Sequence, residues 1–331
     1  MAKRSILRNL RSKTNCSKPS FFIAALFLMG LMGCSPQKPG AKLKSSDVPV
    51  NLASLVETSS NRLNQLEVAR MNLLCAEGLS GAGQLDISNS LAVIDQMAMR
   101  VRSETERHAY RFHINPAEFE NSEGFFRMMM LMVVLAEDFQ VHYAPNKKAS
   151  AANASISDGF FANSSDVFLH GLTGSKRQGT CSSLPVLYVA VGRRLGYPLK
   201  LVTTKGHLFV RWEDAQERFN FEAAGNGANR FSDDYYRHWP LEVSEKEIRA
   251  DGHLKSLTPS EELAVFLSIR GMCEAEAGRY SEAVESFDRA AKLAPGGRTY
   301  SKMRDEMKSK DTTPTRHPSS ETNFNGLNLP E

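Results

Sequence analysis

Cysteine is scarce in this chain, with five in 331 residues and none in a CxxC pair. That spacing excludes a zinc ribbon and a thioredoxin-like dithiol. No HExxH stands at any of the eight histidines, which removes the commonest helical zinc-hydrolase signature. Long apolar runs are also missing. The longest, Phe21 to Gly33, has 13 residues, against about 20 for a membrane-spanning helix. An excess of positive charge is absent once its position is considered. Lys3, Arg4, Arg8, Arg11, Lys13 and Lys18 crowd the first 33 residues, which hold no acid. Taking those six from the formal net charge of +4 leaves −2 for residues 34–331. Nucleic-acid binding needs a clustered basic face, so no nucleic-acid partner is expected. What remains is ordinary globular composition, 41% apolar and 24% charged, which excludes wholesale disorder. The length suits one large or two modest domains.

A basic head followed by a short apolar run reads as a secretory signal peptide over residues 1–33. It ends in Leu31-Met32-Gly33-Cys34, which resembles the bacterial lipobox. The resemblance implies cleavage before Cys34 and diacylation of its thiol. Each buried CH2 contributes about 0.8 kcal/mol, so two chains hold a protein at a membrane. The expected location is the extracytoplasmic side of a bacterial envelope membrane. Residues 34–59 begin Ser-Pro-Gln-Lys-Pro-Gly after the cysteine and read as a tether. Cys75, Cys181 and Cys273 remain, odd in number and far apart, so no disulfide framework is expected.

Helical spacing of apolar residues predicts one helix over about Asn61 to Leu79 and a second from about Asp86, carrying Ile87, Leu91, Ile94, Met97, Met99 and Val101. A third, from about Glu123 to Phe139, is apolar nearly all round and reads as a core helix. Residues 145–165 read as a surface loop, and residues 310–331 as a disordered tail.

The chemistry concentrates in residues 166–240. Gly179-Thr180-Cys181-Ser182-Ser183-Leu184-Pro185 opens a helix, with Pro185 in its first turn and Gly196 just past its end. The predicted apolar stripe is Leu184, Leu187, Tyr188, Val191 and Leu195, with Cys181 at its N-terminal end. A thiol there faces the positive pole of the helix dipole. Leu199 to Trp212 and Arg218 to Ala223 read as two strands joined by a turn at Asp214 to Glu217. Alternation puts His207, Phe209 and Arg211 on one face of the first, and Asn220 and Glu222 on one face of the second. A two-residue turn pairs His207 with Glu222. A register two residues away pairs it with Asn220. Cysteine, histidine and an acid or amide supply the nucleophile, base and orienter of a cysteine acyl-transfer site.

This order resembles the transglutaminase-like superfamily, with its papain-like architecture, and within it the bacterial SirB-type branch. The carrying segments are Asn72 to Leu79, Gly179 to Tyr188, Arg193 to Leu199 and Gly206 to Arg211. The resemblance implies an α+β domain over residues 60–245 with an N-terminal helical part. In it Cys181 is the nucleophile and His207 the base, and Glu222 stands where the family usually has Asp, with Asn220 as the rival orienter. It implies an amide hydrolase or acyltransferase acting on peptide or protein substrates with neither metal nor cofactor. Many SirB-type relatives lack the cysteine, so a catalytically silent binding module is the alternative.

From Ala264, the positions of Gly271, Gly278, Tyr280, Ala283, Phe287, Ala290 and Pro295 resemble a tetratricopeptide repeat. Residues 258–309 are therefore expected to form a short helical region. One repeat cannot bury its own faces, so docking as a cap is favoured over a groove for a protein partner. The lipobox yields a direct expectation: Cys34→Ala abolishes incorporation of a fatty-acid analogue in metabolic labelling, and label retained by the variant refutes the anchor.

Overall fold

The computed structural model describes residues 48–147, 159–224 and 230–311. Residues 1–47, which hold the expected signal and Cys34, lie outside it, as do 148–158 of the expected loop and 312–331 of the expected tail. The chain is a mixed α+β structure.

Helices α1 (Leu52–Val56), α2 (Ser60–Leu63) and α3 (Val68–Leu74) come first. Two corrections follow. The last part of the expected tether is folded, because Leu55 of α1 is fully buried in the core. The expected helix over 61–79 is broken, and α3 ends at Cys75 before a turn at Gly78 with φ +72°. Helix α4 (Ile87–Ile114) starts where Asp86 accepts the Asn89 N–H at 2.9 Å. Its buried stripe includes Leu91, Ile94, Met97 and Val101, whereas Met99 is 63% exposed. Helix α5 (Glu123–Glu137) is capped by Ser122 and buries Phe125, Phe126, Met128, Leu131 and Leu135, as a helix apolar on most sides must.

Strand β1 (His142–Tyr143) then pairs in parallel with β2 (Gln178–Gly179), across the short helices α6 (Ser164–Val167) and α7 (Leu169–Thr173). Helix α8 (Leu184–Arg194) follows β2 and is buried from Leu184 through Gly192. It is therefore not a stripe helix. It lies at the centre, touching α3, α4, α5 and α7 on one side and the sheet on the other.

That sheet is an antiparallel meander of β3 (Leu199–Thr204), β4 (His207–Glu213), β5 (Arg218–Phe221) and β6 (Arg230–Phe231). The expected single strand from Leu199 to Trp212 is thus two. The chain reverses at Lys205-Gly206, and Gly206 holds the left-handed φ of +73° that this tight turn requires. Helices α9 (Asp233–His238) and α10 (Glu245–Asp251) then lead to α11 (Pro259–Glu276), α12 (Tyr280–Leu293) and α13 (Thr299–Asp311).

Helix α11 joins the main core through Leu263, Ala264, Phe266 and Leu267. It packs against α2 and α3, and Arg270 donates to the carbonyls of Cys75 and Glu77. Ala275, Ala283, Phe287 and Met307 close a second, smaller core among α11, α12 and α13. Gly271 permits this approach, since a Cβ there would lie 2.9 Å from the Phe287 ring. At the junction, Arg193 of α8 grips Glu262 of α11 with two bonds, at 3.0 and 2.5 Å. Glu262 is fully buried and Arg193 about one-third exposed. Removing one partner of such a pair strands the other, so Glu262→Ala should cost about 2–3 kcal/mol after allowing for Arg193's exposure. A urea midpoint unchanged from wild type would show that this junction carries no stability.

Candidate active site

Cys181 lies in a helical turn immediately ahead of α8. The Thr180 carbonyl accepts from Ser183 N–H at 3.2 Å and from Leu184 N–H at 2.9 Å, which extends the helical bonding back over Cys181. The turn is clamped from below. Thr180 Oγ1 and Ser183 Oγ both donate to the Asp166 carbonyl, at 3.0 and 3.1 Å, and Ser183 Oγ accepts from Thr180 N–H. Thr180 and Ser183 are fully buried, so these bonds also settle polar groups that would otherwise be stranded.

His207 opens β4 directly after the Lys205-Gly206 turn. Its imidazole neighbours the Cys181 thiol and interacts with it. Its Nε2 meets Glu222 Oε2 at 2.8 Å. Glu222 has two further donors: Tyr236 hydroxyl to Oε2 at 3.1 Å and Ala224 N–H to Oε1 at 2.8 Å. Tyr236 is held by Phe209, whose ring stacks on it at 3.7 Å, and the Trp239 ring stands edge-on to His207 at 4.7 Å. All three members are inside, with Cys181 6%, His207 8% and Glu222 5% exposed.

The structure thus brings together Cys181, His207 and Glu222. It does so in neither of the registers expected from turn length. Arg211 pairs with Asn220 and Val210 with Phe221, across a four-residue connection from Asp214 to Glu217. Continued one step, that register sets Glu222 against Phe209, with His207 two residues along, a diagonal neighbour on the same face. Diagonal pairs are within reach of long side chains, which accounts for the contact. Asn220 is not beside His207. Its Oδ1 accepts from Arg211 Nε at 2.8 Å, and its Nδ2 donates to the Phe231 carbonyl and to Asp233. Asn220 is part of a lattice that neutralises the buried Arg211, which rules it out as orienter in this arrangement.

The electrostatics follow the geometry. Burial opposes the His207 cation, but hydrogen bonds to Cys181 and Glu222 and their charges outweigh it, raising its pKa to about 9. Burial, then the Glu222 charge, raises the Tyr236 phenol and keeps it a donor. Cys75 and Cys273 are buried free thiols, raised first by burial, Cys273 to about 12. The other histidines lie elsewhere. His170 lines a polar cavity of about 250 Å³ with Asp86, Asn163 and Lys176, and Cys181 is not among its lining residues. Burial lowers it to about 4. His238, at the end of α9, is bonded to the Asp234 carbonyl. Among the described residues no group of three or more His, Cys, Asp or Glu could hold a metal ion.

Tyr143 was not apparent from the sequence. Strand β1 is two residues long, too short for a periodicity signal, and the residues it pairs with lie 36 positions further on. Comparison with family models, with curated proteins and with solved structures finds no match.

A raised folded pKa stabilises the protein while the group is charged. The His207 contribution is complete below its ordinary value near 6.5 and disappears as pH rises through about 9. Glu222→Gln should pull the His207 pKa down in an NMR titration and flatten this loss of stability between pH 6.5 and 9, whereas Asn220→Ala should leave the titration in place. A His207 pKa that responds to Asn220→Ala and not to Glu222→Gln would transfer the role to Asn220.

Proposed function

We propose that the chain is a cysteine-dependent acyl-transfer enzyme of the transglutaminase-like kind, an amide hydrolase or acyltransferase acting on peptide or protein substrates. It works without metal or cofactor, anchored through lipid on Cys34 at a bacterial envelope membrane. One observation carries the reading: a buried cysteine in the turn leading into a buried helix, a histidine against it, and a carboxylate 2.8 Å from Nε2 of that ring. His207 takes the Cys181 proton, and the thiolate attacks the carbonyl carbon. His207 then gives the proton to the departing amine, leaving a thioester that water or a second amine resolves. Glu222 holds the ring in place and stabilises its charged form. The order of segments in the sequence and the mixed α+β fold support the family reading, and the small-residue contact at Gly271 supports a tetratricopeptide-like cap. No helix among the described residues is long and apolar enough to cross a membrane, which is compatible with a lipid as the anchor.

One observation favours the second reading, a silent module presenting its surface to an envelope partner: the thiol is only 6% exposed. Thiol chemistry separates the two. Iodoacetamide at pH 6 should alkylate Cys181 at least tenfold faster than Cys75 or Cys273, and His207→Ala should remove that advantage. Cys181→Ser should abolish turnover of an activated ester. Equal rates at the three cysteines, resolved by peptide mass mapping, would favour the silent module.

A further inference from the structure

Beside the nucleophile lies a buried hydroxyl that no group outside the site holds. The β1–β2 pairing sets Tyr143 opposite Gly179, two residues before Cys181, and the next residue, Ala144, donates its N–H to the Gly179 carbonyl at 2.8 Å. Strand β1 is fixed at its start too, where Val141 N–H reaches the end of α5 and His142 N–H the Arg177 carbonyl. The Tyr143 hydroxyl is buried and has no hydrogen-bond partner. Native proteins leave few such groups, and those they leave often await a ligand atom. The groups acting on this one are those of the site: the Cys181 thiol and main chain, and the Glu222 charge.

We propose that the Tyr143 hydroxyl is the second oxyanion donor of the site, converging with the Cys181 N–H on the oxygen of the carbonyl under attack. The proposal rests on the acyl-transfer reading above and supplies the donor that the backbone N–H alone lacks. As the Sγ–C bond forms, the carbonyl π pair moves onto oxygen. Tyr143 O–H and Cys181 N–H hold that negative charge until it collapses and expels the leaving group. The phenol is suited to donate. Burial, then the neighbouring Cys181 charge, raises its pKa, so it keeps its proton where the thiolate reacts.

The test compares two reactions of one thiol. Acylation by p-nitrophenyl acetate passes through an oxyanion: Sγ bonds to the acetyl carbon, p-nitrophenolate departs, and His207 passes the proton it took from the thiol to solvent; the neutral ring then takes a proton from water as its oxygen attacks the thioester, and returns that proton to sulfur as acetate is released. Alkylation by iodoacetamide is a direct displacement with no oxyanion. Tyr143→Phe should slow the acylation burst about 100-fold while leaving the alkylation rate within about twofold and thermal stability no lower than wild type. An unchanged burst overturns the proposal. An equal fall in both reactions also overturns it, since Tyr143 would then act on the thiol rather than on the oxyanion. A wild type that shows no burst, with alkylation no faster than at Cys75, overturns the acyl-transfer reading itself and the donor with it.

Discussion

Helix α8 has no solvent face from Leu184 to Gly192, and much of the fold is arranged to cover it. Four helices take one side, and β3 and β4 the other. The entry to such a helix cannot lie at the surface. The turn carrying Cys181 is drawn into the interior with it, and every polar group of that turn needs a protein partner. Thr180 and Ser183 find theirs in the Asp166 carbonyl, contributed by α6. Packing of apolar side chains therefore decides where the thiol stands, and hydrogen bonds then decide how the turn is held.

The carboxylate is the second constraint. Glu222 is 5% exposed, and an ionised group so placed is costly unless donors surround it. His207, Tyr236 and the Ala224 N–H supply them. The neighbouring buried cation, Arg211, is settled separately by Asn220, Asp233 and the Leu254 carbonyl. Two charges on one face of the sheet thus have separate sets of partners. That separation leaves the Glu222 field directed at His207 rather than spent on the guanidinium.

The three last helices are more than an appendage. Leu263, Phe266 and Leu267 belong to the same core as α8, and the Arg193–Glu262 pair ties the end of α8 to the start of α11. Only the far side of this region, around Phe287 and Met307, builds a core of its own. Helices that cannot cover both their faces by themselves borrow cover from the packed core beside them.

Much of this was legible in the residues. A helix start near Asp86, the long apolar run of α5, Pro185 in the first turn of α8, and the shared face of His207 and Glu222 all follow from local rules of period, helix starts and alternation. The mixed α+β class follows from the same rules. Where the rules run short, the missing information is non-local. A Lys205-Gly206 turn inside an apolar stretch hid a strand boundary, because β-branched residues flank it on both sides. Turn length alone could not give the β4–β5 register, which depends on how Phe219, Phe221 and Trp212 pack against the interior. Whether Glu222 or Asn220 faces the imidazole was decided by Arg211, a buried cation that claims the amide. The place of Tyr143 was decided by a two-residue parallel pairing across 36 positions. Sequence by itself determined which residue types are available and which face each takes. Tertiary structure decided which of them meet, because desolvation makes every buried polar group seek a partner and close packing determines which is within reach.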